Sequence, residues 1–291
     1  MIKPAISIII PAHNEVANLI PLLPKIKAIA NTEIVIVDDG STDDTKKVCE
    51  HFNVNCVSHP YNKGNGAAVK TGARHAKGKI FIFMDADGQH DPDDIPRLLA
   101  TLDQGYDMVV GARSNRTQAS LHRYLANRFY NILSSLLVGH PIRDLTSGFR
   151  AVRANKFKEF IHLLPNGFSY PSTITMAFFR AGYSVNYMQV DAGKRTGKSH
   201  IHAIRDGIRF LLIIYKISTL YSPLKVFMPM ALLNFIIGCI FYIYNFSDSD
   251  LSITLTAVFF TTSFIIFLIG LVSEQITMLM YQQRDADHDE D

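Results

Sequence analysis

The sequence predicts an α/β protein with a mostly parallel sheet, followed by helices at or in a membrane. Three observations carry that expectation. Strand-like runs alternate with helical patterns over the first two hundred residues, the order of βα units. Several strands are continuously apolar, as in "SIIIPA" and "IFIFM", which marks strands covered on both faces. Near the C-terminus, residues 226–244 and 251–273 carry no charge.

The first strand is read from "AISIIIPA" at 5–12, and Pro4 with so short an apolar run argues against a signal peptide. Further strands are expected at "EIVIVDD", "NCVSH", "KIFIFMD", "YDMVVGAR" and "YSVNYMQV". Between them, helical periodicity runs from Glu15 to Ala30, Asp43 to Phe52, Gly66 to Ala76, Pro92 to Gln104 and Leu121 to Val138. No internal repeat is visible.

Beyond the sheet, Lys198, His202, Arg205, Arg209 and Lys216 share one face of a helix, with Phe210, Leu211, Ile213, Ile214 and Ile217 around the rest. A basic amphipathic helix before an apolar span suggests an interfacial segment on anionic lipid; an ordinary solvated face is the alternative. The two uncharged stretches approach the ~20 residues that cross a bilayer as a helix, and being apolar all round they fit spans better than core helices. Lys225 precedes the first and Arg284 follows the second, while "NFSDSD" between them is acidic. That asymmetry puts the loop outside and both termini in the cytoplasm. The expected divisions are a catalytic domain at 1–198, a juxtamembrane helix at 199–223, spans at 224–246 and 251–274, and a cytoplasmic tail at 275–291, whose end "RDADHDED" reads as irregular and solvated.

A net charge of +3 does not argue for nucleic acid. Cys49, Cys56 and Cys239 lack C-x-x-C spacing and are expected to be free thiols.

Asp85 and Asp87 stand where a buried strand ends, a costly place for two like charges, and Gln89 follows. Counted as an EF-hand loop from Asp85, the positions requiring Gly and Glu hold His90 and Pro96. "TGKS" at 196–199 lacks the first glycine of a P-loop, which falls on Ala192. The turn after the first strand, "PAHNE", has no glycine for a dinucleotide site, and "GNGAAVKTG" follows a turn instead. Asp85, Asp87 and Gln89 are hard oxygen donors suited to Mg²⁺ or Mn²⁺ bridging a diphosphate. Turn chemistry, with Asp91 or Asp93 as a helix cap, accounts for the pair equally well when it is taken alone.

The motifs "IIIPAHNE", "IVDDGSTDDT", "GNGAAVKTG", "MDADGQHDP" and "DLTSGFR", in this order, resemble family 2 glycosyltransferases of the GT-A fold over about residues 5–200. With "KRTGKS" and two C-terminal spans, the chain is most similar to the polyprenol-phosphate branch of that family. The resemblance implies an inner-membrane enzyme that takes a nucleotide-sugar donor and a polyprenyl-phosphate acceptor, with Mg²⁺ or Mn²⁺, no nucleic acid, and a homo-oligomeric state. It implies that Asp85, Asp87 and Gln89 hold metal and diphosphate, and that Pro11, His13, Glu15, Val37, Asp39 and Ala86 line the nucleotide pocket with them. It implies further that Arg113, Arg128, Ser147 and Arg195 receive the acceptor phosphate, so that Asp87, Arg113 and Arg195 serve catalysis. Asn65 departs from the pattern, standing where related enzymes often have Lys.

A phosphate monoester is largely dianionic at neutral pH, its second pKa being ~6. Such a nucleophile needs cations to position it and no general base. A hydroxyl acceptor needs a base, and Asp144 is the candidate for that catalytic role, with a structural turn carboxylate as the alternative. A processive polysaccharide synthase of the same fold is disfavoured, because its Q-x-x-R-W motif requires Trp and the chain has none. A non-catalytic membrane adaptor is disfavoured by the intact Asp85, Asp87, Gln89 and Arg195.

Overall fold

The computed structural model describes residues 5–113, 121–167, 169–191, 193, 203–244 and 250–289. The chain divides into two compact units, Met1–Phe210 and Leu211–Asp291.

In the first unit, strands β1 (Ile6–Ala12), β2 (Thr32–Asp38), β3 (Asn55–Ser58), β4 (Ile80–Phe83), β5 (Met108–Arg113), β6 (Arg150–Arg153) and β7 (Val185–Val190) form one sheet in the order β3-β2-β1-β4-β6-β5-β7. The pairs β1–β2, β1–β4, β2–β3 and β5–β7 are parallel, and β6 runs antiparallel to both neighbours. Helices α1 (Val16–Lys27), α2 (Thr45–His51), α3 (Asn65–His75), α4 (Ile95–Leu102) and α5 (Leu121–Val138) are the five that the periodicity predicts, and α6 (Ala154–Lys158) and α7 (Tyr170–Arg180) follow.

The continuous apolar runs have the expected cause. Ile8, Ile9 and Ile10 are all fully buried, as are Phe81, Ile82 and Phe83, so both faces of these strands are covered. One face packs against Leu19, Leu23, Leu98 and Leu102; on the other, Phe83 meets Phe157 and Tyr170. Elements β6 and α7 carry no expectation from the sequence. Strand β6 is bounded by Arg150 and Arg153 and hides in the middle of the sheet.

Helix α8 (Ala203–Tyr221) follows, and the unit boundary falls within it. Of its expected basic stripe, Lys198 and His202 lie outside the described residues, and Lys216 is exposed. Ile208, Leu212 and Tyr215 are exposed as well, whereas Ile214, Ile217 and Tyr221 are buried.

The second unit is a helical hairpin of α9 (Pro223–Tyr244) and α10 (Asp250–Asp289). Its apolar segments, Pro223–Ile243 and Ile253–Leu279, have mean hydropathies of 2.2 and 2.4. Only 11% and 17% of them are buried, which does not fit core helices of a soluble protein. Small and polar groups seat one helix on the other: the Ser263 hydroxyl donates to the Ala231 carbonyl at 2.7 Å, and the Leu224 N–H donates to the Glu274 carboxylate at 3.2 Å. Helix α10 continues to Asp289, so most of the expected irregular end is helical.

Candidate active site

Because β1, β2 and β4 are parallel, the segments that follow them emerge at one sheet edge. That edge carries His13–Glu15, Asp38–Asp39 and Asp85–Asp87. Asp85 is half-buried and Asp87 is 8% exposed. The Asp87 carboxylate accepts the Gln89 N–H at 3.2 Å, closing a turn through Gly88, whose φ is +75°. Capping falls to Asp91, which accepts the Asp93 N–H, and this leaves the Asp85–Asp87 pair unexplained by capping.

The pair is framed by β6 and the turn before it. A Cβ on Gly148 would lie 2.7 Å from Asp85 Oδ2, so a side chain there would push the carboxylate out of its place. His90 stacks on Phe149, with ring centroids 5.0 Å apart, and its Nδ1 faces the Asp85 N–H at 3.4 Å. Burial holds the His90 pKa below the ordinary range against the pull of Asp85 and Asp87, so the ring is neutral. Among the described residues, no three acidic, His or Cys side chains converge as a complete metal cage. Two carboxylates and the Gln89 amide match an ion that keeps water and phosphate oxygens in its shell, as Mg²⁺ and Mn²⁺ do.

The loops after β1 and β2 are latched by Asn14, a role that its place in "PAHNE" does not reveal. Its side-chain oxygen accepts the Thr42 N–H at 2.8 Å, the Thr42 hydroxyl at 3.2 Å and the Asp43 N–H at 3.3 Å. Its own N–H donates to the Ser41 hydroxyl at 2.9 Å. Its φ is +58°, a left-handed conformation that Asn tolerates better than most residues. His13 is exposed beside it, with Nδ1 3.0 Å from the Asp39 carbonyl, and Glu15 accepts from the Asn18 amide.

Three expected pocket residues do not present side chains there. Val37 is fully buried and packs towards Gly72 of α3. The Ala86 methyl belongs to the core. Asp39 is 3% exposed and already engaged: His59 Nδ1 lies 2.6 Å from Oδ1, and the Lys63 and Gly64 N–H groups donate at 2.9 and 2.8 Å. It holds the following loop in place. Pro11 is half-buried and pairs with Val37 across the strands. "GNGAAVKTG" is no phosphate cradle either, since the Gly66 and Ala67 N–H groups donate to the Gly167 and Asn166 carbonyls.

At the other end of this edge, Arg113 closes on Asp144: Nε donates to Oδ2 at 2.8 Å and Nη2 to Oδ1 at 2.9 Å. Burial pushes the Asp144 carboxyl upward, but the hydrogen bonds and charge of Arg113 outweigh it, leaving the pKa below the ordinary carboxylate range. A carboxylate so held is a poor proton acceptor, which suits the alternative of a structural carboxylate better than that of a base. Ser147 is buried and its hydroxyl donates to the Gly111 carbonyl of β5 at 2.6 Å.

Arg113, Arg128, His140, Arg143 and Asp144 line a cleft of about 730 Å³ together with Ile132, Leu136 and Ile142. It joins Arg113 to Arg128 and adds Arg143, a neighbour of Asp144 whose role the sequence did not reveal. Helix α5 fixes the wall: Asn131 donates to the Arg143 carbonyl at 2.8 Å and accepts the Leu145 N–H at 3.1 Å. Arg195 lies outside the described residues. Gly193 precedes it by two positions and donates to the Gln89 carbonyl at 2.9 Å. The arrangement can hold a metal-bridged diphosphate at one end and an amphiphilic anion at the other.

Residues 7–161 match the model of glycosyl transferase family 2, and residues 222–279 match that of the GtrB C-terminal hairpin. An uncharacterized protein of Methanocaldococcus jannaschii is 31% identical, over 70% of this chain and 98% of its own. Undecaprenyl-phosphate 4-deoxy-4-formamido-L-arabinose transferases of Shewanella sediminis and Klebsiella pneumoniae are 33% and 34% identical over 56% of this chain. The alignments cover 55% and 56% of those transferases, so the chain spans about half their length. Among solved structures, glucosyl-3-phosphoglycerate synthase of Mycobacterium tuberculosis, crystallised with Mn²⁺, UDP and glucosyl-3-phosphoglycerate, shares the fold. It aligns with a TM-score of 0.61 at 19% identity, over 74% of this chain and 80% of that one.

Proposed function

The chain belongs to glycosyl transferase family 2, and from that premise we propose that it moves one sugar from a nucleotide sugar to a membrane polyprenyl phosphate, with inversion at the anomeric carbon. The observation that carries this reading is the cleft beside the carboxylate edge, cationic through Arg113, Arg128 and Arg143 and apolar through Ile132, Leu136 and Ile142. That lining suits a phosphate attached to a hydrocarbon chain. The names of the formamido-arabinose transferases, which specify undecaprenyl phosphate, support the same acceptor class.

In this mechanism an acceptor phosphate oxygen attacks the anomeric carbon from the face opposite the leaving group. The bond from that carbon to the diphosphate oxygen breaks, and the nucleoside diphosphate departs with the electron pair. No proton needs removing, because the acceptor is already ionised, which fits an Asp144 paired to Arg113. The arginines of the cleft orient the phosphate and offset its repulsion with the donor. Asp144 holds Arg113 in place through two hydrogen bonds. Asp85, Asp87 and Gln89 would hold Mg²⁺ or Mn²⁺, which supplies charge neutralisation to the departing diphosphate. Asn14 keeps the two nucleotide loops in register, with His13 and Glu15 beside it, and Arg195 would join the acceptor site.

Residues 1–198 then serve as the catalytic domain, 199–223 as the juxtamembrane helix and 224–246 and 251–274 as spans, with both termini and the tail at 275–291 in the cytoplasm. The test is to incubate the purified protein with a panel of UDP- and GDP-sugars and either undecaprenyl or dolichyl phosphate. The expected result is a glycolipid and a nucleoside diphosphate in equal amounts from one donor. Donor hydrolysis without glycolipid, across the whole panel, would contradict the reading.

A further inference from the structure

Cys49 and Cys56, two free cysteines, meet at the edge of the sheet. Cys49 lies in α2 and is fully buried, whereas Cys56 lies in the edge strand β3 and is half-buried. The backbone brings them together. Beyond α2 the chain reverses through Asn53, whose φ is +49°, and the Val54 N–H donates to the Cys49 carbonyl at 3.1 Å. Cys56 then stands opposite Ile36 of β2, so the two side chains share a face of the sheet. Ile36 and Cys49 belong to one apolar cluster, and Cys56 packs against it. The thiols come close enough for that of Cys49 to donate to the Cys56 sulfur.

That hydrogen bond outweighs burial and holds the Cys56 pKa below the ordinary thiol range, with help from the Ser58 hydroxyl and the charge of Lys46. The same bond and burial push the Cys49 thiol up. One sulfur is therefore a nucleophile within reach of solvent, and the other is a sheltered partner beside it. We propose that Cys49 and Cys56 are an oxidisable pair, which a hydroperoxide converts to a disulfide joining α2 to β3. The Cys56 thiolate attacks a peroxide oxygen, the O–O bond breaks, and the departing hydroxide takes up a proton, leaving Cys56 as a sulfenic acid. Cys49 then attacks that sulfur, the S–O bond breaks, and hydroxide leaves with the Cys49 proton as water. Two thiols and one hydrogen peroxide thus give one disulfide and two waters, and a thiol reductant reverses the change. Transient bonds of this sensing kind are the ones a reducing compartment permits. The bond would lie one helical turn from Thr45, whose hydroxyl accepts the Glu15 N–H at 3.3 Å, so oxidation tethers a helix that touches the loop after β1.

The test treats the full-length protein in detergent with hydrogen peroxide, blocks the remaining thiols by alkylation, and maps the peptides by mass spectrometry without reduction. Cys49 and Cys56 share the tryptic peptide 48–63, and cleavage after Glu50 separates them. The expected product is this peptide lighter by two hydrogens, with neither cysteine alkylated. It should stay linked after cleavage at Glu50, and dithiothreitol should restore both thiols. In Cys49→Ala, Cys56 should stop at the sulfenic acid and be captured by dimedone. In Cys56→Ser, Cys49 should remain reduced. The wild-type map decides even where a variant does not fold. Alkylation of both cysteines after peroxide treatment would overturn the proposal. So would a Cys56 carried on to sulfinic acid beside an alkylated Cys49, a bond from Cys56 to another chain, or a Cys49–Cys56 bond that forms only in urea.

Discussion

Gly148 lacks a side chain where Asp85 Oδ2 would stand 2.7 Å from a Cβ. Gly148→Ala should therefore push the Asp85 carboxylate aside and lower metal-dependent turnover about a hundredfold, the scale of an ångström misplacement at a reacting centre. Melting temperature and far-ultraviolet circular dichroism should change little. Asp87→Asn removes one ligand charge at the strand end and should abolish metal-dependent turnover, with the fold intact by the same two measures. Asn14 separates two effects. Asn14→Gly loses the latch without left-handed strain, and Asn14→Ala loses the latch and adds strain. Both should raise the donor KM about tenfold through lost hydrogen bonds with kcat nearly constant, and only Asn14→Ala should also lower stability. Asp144 titrates below its ordinary range because Arg113 outweighs burial. Its contribution to stability is present above the unfolded value of ~3.9 and is lost as pH falls through the lower folded value. The difference in melting temperature between wild type and Asp144→Asn should therefore shrink below about pH 4 and stay constant from pH 6 to 8.

At the scale of elements, the parallel strands are legible in the sequence because helices cover both faces, and burial writes itself as unbroken runs of Ile, Val and Phe. Strand β6 is not legible, since a central strand that begins with a buried arginine contradicts the composition rule for such strands. Helix α7 is hidden for a related reason: Ser172, Thr173 and Thr175 are buried along with its apolar residues, so no polar face marks a period. The carboxylate edge is legible because acidic residues end three apolar runs. Which of them are committed to the scaffold is not, because Asp39 is engaged by His59 and Asp144 by Arg113, partners that lie 20 and more residues away. Helix α8 carries its own prediction. If its basic residues rest on anionic headgroups, each contributes about 1 kcal/mol. Replacing Arg205, Arg209 and Lys216 together should then impair transfer to long polyprenyl phosphate, with donor binding unchanged. Transfer to a short, water-soluble prenyl phosphate should suffer much less, and equal losses on both acceptors would count against the docking role.

For the whole molecule, a catalytic unit and an apolar hairpin in one chain make sense if the acceptor is confined to a membrane. The orientation proposed for the hairpin is tested by accessibility. With native cysteines replaced, a Cys at Ser247 should react with an impermeant thiol reagent in intact cells, and one at Ser41 should not; the reverse pattern would invert the topology. The central claim is that the acceptor arrives as an anion and that the protein supplies cations in place of a base. It is tested most directly by comparing undecaprenyl phosphate with undecaprenol as acceptors for the same donor, and by determining the anomeric configuration of the product by nuclear magnetic resonance. Transfer confined to the phosphate, with configuration inverted relative to the donor, is the predicted result. Comparable transfer to the free alcohol, or retention of configuration, would contradict it.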